Sequence, residues 1–132
     1  MPKTAKKPTR SKLIKKLDIV FSQYIRLKEA DHHGMVTCFT CGKRGHWKHG
    51  GMQAGHFMSR KHYSSRWLED NVKVQCISCN LYQQGNQYLF SVRLGKELSE
   101  ELYLQSKTIV KFTSDELQSM IDDYSEKVKK LL

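Results

Sequence analysis

Two Cys-x-x-Cys pairs, Cys38-Phe39-Thr40-Cys41 and Cys76-Ile77-Ser78-Cys79, stand 34 residues apart and decide how the centre of this 132-residue sequence folds. Each pair can present two thiolates to one ion, and two pairs complete the closed tetrahedral shell of a structural zinc site. Four unrelated buried cysteines or a redox Cys-x-x-Cys are the alternatives, and the paired spacing favours zinc. A closed shell of four thiolates leaves no coordination position open. The predicted zinc therefore clamps the segment 42–75 and does not catalyse.

The segment 42–75 differs in composition and periodicity from the sequence on either side of it. It is rich in glycine and histidine and has no sustained helical period. We therefore predict loops and two short strands, over 52–57 and 72–74. The segment also contains four histidines, at His46, His49, His56 and His62.

Helical patterns flank this centre on both sides. Apolar residues recur at three- and four-residue steps over 11–30, which predicts one helix with a buried face. Helical character returns after Cys79 and runs through 94, where Gly95 is a suitable C-cap. A short helix is predicted over 99–105. The sequence from Thr113 to Glu116 has capping-box spacing and opens the last predicted helix.

The charge of the chain is concentrated in its first part. The formal net charge is +10, and residues 1–75 hold 16 basic and 5 acidic side chains against 7 and 8 in residues 76–132. A basic surface of this kind suits a polyanion, because Lys and Arg that neutralise phosphates release condensed counterions. We predict that DNA is the partner, that residues 1–10 form a disordered basic arm, and that residues 11–132 form a single domain.

An anionic membrane would attract the same positive charge. However, no apolar run in the sequence approaches the roughly 20 residues that span a bilayer, and no apolar stretch typical of a secretion signal follows the basic N-terminus. The sequence therefore predicts a cytoplasmic protein without a membrane partner. In a reducing cytosol, paired cysteines favour a metal over disulfides.

The order of residues within the clamped segment resembles the HNH pattern of the His-Me finger superfamily. The matching residues are Ala54-Gly55-His56-Phe57, Asn71 and Cys76-Ile77-Ser78-Cys79-Asn80. The sequence is more similar still to the phage NinG/Rap recombination endonucleases. The shared features are CxxCG at 38–42, AGH at 54–56, Arg66, Asn71 before QC at 75–76, CN at 79–80 and GN at 85–86.

The resemblance implies an α+β fold, in which a zinc-stapled ββα-metal core over 38–94 is flanked by the helices of 11–30 and 95–132. It also implies a metal-dependent DNA endonuclease with His56 as the base that activates water and Asn80 as a ligand of catalytic magnesium or manganese. Asn71 would support the loop that carries His56, although an ordinary turn asparagine is the alternative. An imidazole suits the role of base because it titrates near neutral pH.

The sequence departs from the HNH pattern at two places. Gly55 stands where many members carry Asp or His as a second metal ligand, and Gln83 or Gln84 replaces a Lys common after the last motif position. Phosphate contacts must then come from elsewhere, and we expect them from Arg60 and Arg66, because a guanidinium can pair two phosphate oxygens. Either arginine could instead be a solvated surface residue.

The resemblance further implies branched DNA, such as D-loops and Holliday junctions, as the substrate, and the cytoplasm of a bacterial host as the location. Two other classes of function are open on the sequence. One is a non-catalytic zinc-finger DNA-binding module. The other is a recombination adaptor whose last helix docks a partner or a second copy of the chain, as a homodimer. His46 and His49 match no family position and are left without a role.

Overall fold

The computed structural model describes residues 7–132 and begins with a long helix, α1, over Arg10–Lys28. The hydroxyl of Thr9 caps this helix by accepting a hydrogen bond of 3.3 Å from the backbone N–H of Lys12. Arg10 therefore belongs to the helix, which begins one residue before the predicted start at 11. Residues 1–6 of the predicted arm lie outside the described residues.

Within residues 7–132, four short strands form two separate antiparallel hairpins. In the first, β1 (Met35–Thr37) pairs with β2 (Arg44–His46); in the second, β3 (Met52–His56) pairs with β4 (Val72–Cys76). The second hairpin is the one predicted from the sequence. The first was missed, because strands of three residues are too short to show the alternation of apolar and polar residues that marks a strand.

A connection of 15 residues separates β3 from β4, and it contains a single helical turn, α2, over Tyr63–Arg66, and a 3-10 turn over Glu69–Asn71. After β4 the chain makes a π-helical turn over Ser78–Tyr82. The side-chain amide of Asn80 in this turn donates a hydrogen bond to Gln53 on β3, so the turn lies against that strand.

The helical character predicted between Cys79 and Leu94 is present in two pieces. Gln84, Gly85 and Asn86 all have positive φ, at 50°, 88° and 49°, so the helix is interrupted before α3 begins at Gln87. The side-chain amide of Gln75 donates a hydrogen bond of 2.8 Å to the carbonyl oxygen of Gly85, which ties this turn to β4.

Three helices complete the chain, namely α3 (Gln87–Leu94), α4 (Lys96–Ser106) and α5 (Ser114–Leu131). The predicted C-cap is confirmed, since Gly95 ends α3 with a φ of 91°. The predicted capping box is also confirmed, because Thr113 and Glu116 each bond the other's backbone N–H at 3.1 Å.

The core lies between α1, α5 and the second hairpin. The rings of Phe21 on α1 and Tyr124 on α5 meet edge to face with centroids 5.0 Å apart. Leu17 and Phe21 are fully buried, and such burial stabilises the fold by about 1.5–3 kcal/mol for each side chain. The architecture is thus α+β. None of the helices in residues 7–132 combines the length and apolar character needed to cross a membrane.

Candidate functional site

The four cysteines form one cluster at the point where the two hairpins meet. All four Sγ atoms lie within 4.8 Å of one another, and those of Cys41 and Cys76 are 3.6 Å apart. Zn–S bonds of about 2.3 Å in a tetrahedron require neighbouring sulfurs about 3.8 Å apart. The cluster therefore fits one zinc ion held by Cys38, Cys41, Cys76 and Cys79.

Hydrogen bonds to the sulfurs prepare this cluster for a cation. The backbone N–H of Cys79 donates to Sγ of Cys76 at 3.5 Å, and the side-chain amide of Asn86 donates to Sγ of Cys79 at 3.7 Å. Burial raises the pKa of the Cys38 thiol, but the hydroxyl of Thr40 and backbone N–H groups outweigh this effect and lower the pKa to about 6. These bonds favour the thiolate form of Cys38, which is the form that binds zinc. Burial and the neighbouring sulfurs instead raise the pKa of Cys41 to about 12 and raise the pKa of Cys76, so a bound cation would be needed to hold all four as thiolates.

A cleft of about 900 Å³ lies between α1, β3 and the turn that follows the second cysteine pair. Three of the predicted site residues, His56, Asn80 and Arg60, line it together. The other residues around it include Asp18, Ser22, Arg26, Gln53, Leu81 and Gln84. Asn71 and Arg66 are not among the described residues that line this cleft.

His56 is the last residue of β3, and its ring is held by one defined hydrogen bond. Nε2 lies 2.9 Å from the main-chain carbonyl oxygen of Arg66. A carbonyl oxygen can only accept, so Nε2 carries the proton and Nδ1 has the free lone pair. No group within residues 7–132 forms a hydrogen bond with Nδ1. The fixed tautomer therefore leaves a proton acceptor on a residue that lines the cleft.

The pKa of His56 is lowered from 6.5 to about 4, mainly because burial disfavours the charged imidazolium. The carbonyl oxygen of Arg66 and the carboxylate of Asp18 oppose this shift, whereas the positive charges of Arg60 and Arg66 add to it. At neutral pH the ring is therefore uncharged and able to accept a proton.

Asn80 extends from the π-helical turn toward β3. Its Nδ2 donates a hydrogen bond of 2.7 Å to Oε1 of Gln53, which fixes the orientation of the amide and leaves Oδ1 as an acceptor. An amide oxygen is a suitable ligand for magnesium or manganese, which prefer oxygen and keep several waters. In the described part of the chain, the cysteines are the one cluster of three or more Cys, His, Asp or Glu side chains. Asn80 thus offers one neutral oxygen, and a cation held there would need its other ligands from outside such a cluster.

Asn71 is fully buried and joins the two ends of the connection between β3 and β4. Its Oδ1 accepts from the N–H of Met58 at 2.8 Å, and its Nδ2 donates to the carbonyl oxygens of Met58 and Ser65, both at 3.0 Å. These three bonds satisfy backbone groups on both sides of His62. Asn71 thus shapes the loop that follows His56 and does not itself face the cleft.

The two predicted phosphate-binding arginines lie in different surroundings. The side chain of Arg60 is 63% exposed, lines the cleft and lies 3.8 Å from Asp18. The side chain of Arg66 is only 13% exposed and donates to both carboxylate oxygens of Asp18, at 3.1 and 2.6 Å. Arg60 is therefore placed to meet a ligand, whereas the donors of Arg66 are directed into the protein.

One wall of the cleft is formed by α1, a contribution that was not predicted from the sequence. Asp18, Ser22 and Arg26 line it and follow one another at four-residue steps along the helix. This polar ridge runs beside the buried apolar face, and its spacing is the signal that could have revealed it. Arg26 also donates to the carbonyl oxygen of Trp47 at 2.7 Å, which links α1 to the loop between β2 and β3.

His46 is the last residue of β2 and His49 lies in the loop that follows it, and both lie apart from the cleft. Their rings stack with centroids 5.2 Å apart, and neither is among the described residues that line the cleft. Of the four histidines between the cysteine pairs, the structure brings His56 to the cleft wall.

The whole chain, residues 1–132, matches the family model described as NinG, Bacteriophage Lambda NinG protein. The chain belongs to the NinG family. It is similar to Protein ninG of Escherichia phage lambda, with 28% identity over 136 aligned positions that cover 98% of this chain and 61% of the relative. It therefore spans about three-fifths of the length of that NinG protein. No solved structure matches the chain.

Proposed function

We propose that this NinG-family chain is a metal-dependent DNA endonuclease of the HNH type. The single observation that carries the proposal is the state of His56, a residue that lines the same cleft as Asn80 and whose Nε2–H is held by a carbonyl oxygen, so that Nδ1 is left as an acceptor. In the proposed arrangement, β3, β4 and the turn after Cys79 act as the ββα-metal core.

His56 would take the proton from the attacking water. A positioned base must be unprotonated at working pH, and burial keeps the imidazole neutral down to about pH 4. The low pKa makes it a weak base, so the water must be acidified by its surroundings.

Asn80 would hold magnesium or manganese through Oδ1, together with phosphate oxygens of the bound DNA. When bound, such an ion neutralises charge on the phosphate and on the departing oxygen. Asn80 is a neutral ligand and belongs to no cluster of three or more Cys, His, Asp or Glu side chains within residues 7–132, so metal binding should depend on bound DNA.

Arg60 would contact the phosphate backbone at the rim of the cleft. Its side chain is 63% exposed, and Arg26 adds a second positive charge to the wall formed by α1. The excess of basic residues in 1–75 would supply further attraction that does not depend on DNA sequence. The similarity to recombination endonucleases extends the proposal to branched DNA as the preferred substrate.

The experiment compares His56→Ala with the matched control His49→Ala on duplex, flap, D-loop and four-way junction DNA in magnesium. We expect His56→Ala to cut roughly a hundredfold or more slowly, which is the usual contribution of a positioned base, and to bind DNA normally in calcium. His49→Ala should cut as fast as the wild type, because His49 does not line the cleft. If the wild-type protein binds DNA but cuts none of these substrates in magnesium or manganese, the chain is a zinc-dependent binding module.

A further inference from the structure

The carboxylate of Asp18 on α1 is the acceptor for three hydrogen bonds from the connection between β3 and β4. Arg66 donates from Nε to Oδ1 and from Nη2 to Oδ2, at 3.1 and 2.6 Å, and Trp67 donates from Nε1 to Oδ1 at 3.0 Å. The side chain of Asp18 is 19% exposed. These bonds span 48 and 49 positions of sequence, so they fix a long connection onto the helix.

Arg66 joins this anchor to the histidine. Its main-chain carbonyl oxygen accepts the hydrogen bond from Nε2 of His56, while its side chain is held by Asp18. A further bond of 2.8 Å runs from Nη1 of Arg66 to the carbonyl oxygen of Arg60. One residue thus connects the carboxylate on α1 with the ring of His56 and with the backbone of the exposed arginine.

We propose that Asp18 is a positioning residue, which holds the carbonyl oxygen of Arg66 against His56 and thereby sets the Nε2–H tautomer. Arg66 then acts as the link between them, and Arg60 is left as the arginine that meets phosphate. The consequence for cleavage rests on the proposed function, whereas the consequence for the tautomer does not.

The chemistry of the pair supports this role. A largely buried bidentate Arg–carboxylate pair is stronger and more directional than a surface ion pair, because two charge-assisted hydrogen bonds fix the guanidinium and the carboxylate in one plane. Pairing also neutralises a carboxylate that would otherwise repel DNA from the cleft wall. The charged groups that face His56 are Asp18, Arg60 and Arg66. An acceptor that orients an imidazole decides which of its nitrogens is available.

The test uses Asp18→Asn, with Glu69→Gln as the matched control. Glu69 also pairs with α1, through Lys28 at 3.3 Å, but has no hydrogen bond to Arg66 in the described residues. The primary readout is the ¹⁵N spectrum of the His56 ring in the full, zinc-loaded chain at neutral pH. The second readout is single-turnover cleavage in magnesium.

We expect the wild type and Glu69→Gln to show the Nε2–H tautomer, and Asp18→Asn to show a mixture of tautomers. Cleavage by Asp18→Asn should fall roughly tenfold to a hundredfold, as for other misplaced catalytic groups, while Glu69→Gln should stay within about twofold of the wild type. A wild-type tautomer in Asp18→Asn would overturn the proposal. If Asp18→Asn changes the tautomer of His56 but the wild type cuts no DNA, the proposed function fails and the positioning role stands.

Arg66→Lys provides a second variant in case Asp18→Asn does not fold. A lysine keeps the positive charge opposite Asp18 but cannot bond both carboxylate oxygens in one plane. We expect it to shift the tautomer in the same direction and to a smaller extent. An unchanged His56 spectrum in Arg66→Lys would show that the paired bonds between Arg66 and Asp18 do not position the carbonyl oxygen of residue 66. That result would also overturn the proposal.

Discussion

Gly55 on β3 lies directly against the side chain of Gln75 on β4, so closely that a Cβ atom at position 55 would be 1.8 Å from Oε1 of Gln75. Gln75 cannot move aside, because it is fully buried and its Nε2 donates to Thr40 and to the carbonyl oxygen of Gly85. This contact explains why position 55 is a glycine. The space for a side chain at that position is already filled.

We therefore predict that Gly55→Ala destabilises the protein by about 2 kcal/mol or more, through overpacking and the disruption of buried hydrogen bonds. Denaturant unfolding in the presence of zinc measures the effect. Gln75→Ala removes the obstacle, so the double variant should be more stable than the sum of the two single losses implies. Strictly additive losses would contradict a direct clash.

His56 should make the stability of the fold depend on pH. Its pKa is about 4 in the folded state and about 6.5 in an unfolded chain, so the unfolded state gains a proton first as the pH falls. The resulting loss of stability begins below the unfolded pKa and is complete below the folded pKa. At about pH 5 it should amount to about 2 kcal/mol at most.

His56→Gln tests this linkage, because glutamine does not titrate and can still donate to the carbonyl oxygen of Arg66. We expect the free energy of unfolding of His56→Gln to fall less than that of the wild type between about pH 7 and about pH 5. The control His49→Gln, which changes an exposed histidine, should follow the wild type. Equal pH dependence in all three proteins would show that His56 is not the group responsible.

Zinc should be required for the folded centre of the chain. Cys76→Ser removes one of four ligands that join the two hairpins, and binding energy at a structural zinc site is folding energy. We expect this variant to lose its zinc in native mass spectrometry and to lose cooperative unfolding. Ser78→Ala, an exposed residue within the same Cys-x-x-Cys pair, is the matched control and should keep both. A folded, zinc-free Cys76→Ser protein would contradict this assignment.

Features set by neighbouring residues could be predicted from the sequence. The cysteine pairs bring their ligands together through short turns, the Thr113–Glu116 capping box joins groups three positions apart, and the strands of the second hairpin show an apolar pattern. In each case the interaction that stabilises the structure is local, or is specified by a metal with a fixed geometry.

The contribution of α1 to the site could not be predicted in the same way. Asp18 meets Arg66 only because α1 packs across the second hairpin, and no local pattern specifies which polar residue of a helix will find a distant partner. The same long-range packing turned Arg66 from an expected surface contact into a residue with its donors directed inward. Arg60, six positions earlier, remained at the rim.

The variants Asn80→Ala and His56→Ala should differ in how their loss of cleavage responds to added metal. Replacing Asn80 with Ala removes Oδ1, the oxygen proposed to bind magnesium, but leaves the base and the positive charges of the cleft in place. We expect Asn80→Ala to bind DNA normally, to cut slowly at low magnesium, and to recover part of its rate when magnesium or manganese is raised by roughly tenfold or more. His56→Ala should show no such recovery, because added metal does not replace a proton acceptor.

The variant Gln53→Ala distinguishes a loss of metal binding by Asn80 from a general disturbance of the cleft wall. Oε1 of Gln53 accepts the 2.7 Å bond that orients the Asn80 amide, so Gln53→Ala leaves Oδ1 present but free to turn. We expect a smaller increase in the magnesium requirement than for Asn80→Ala, in the same direction. Ser22→Ala is the control, since Ser22 lines the cleft and its hydroxyl has no hydrogen bond in the described residues. If Asn80→Ala and Ser22→Ala show the same magnesium dependence as the wild type, Asn80 is not the ligand, and the metal must be held by phosphate and water alone.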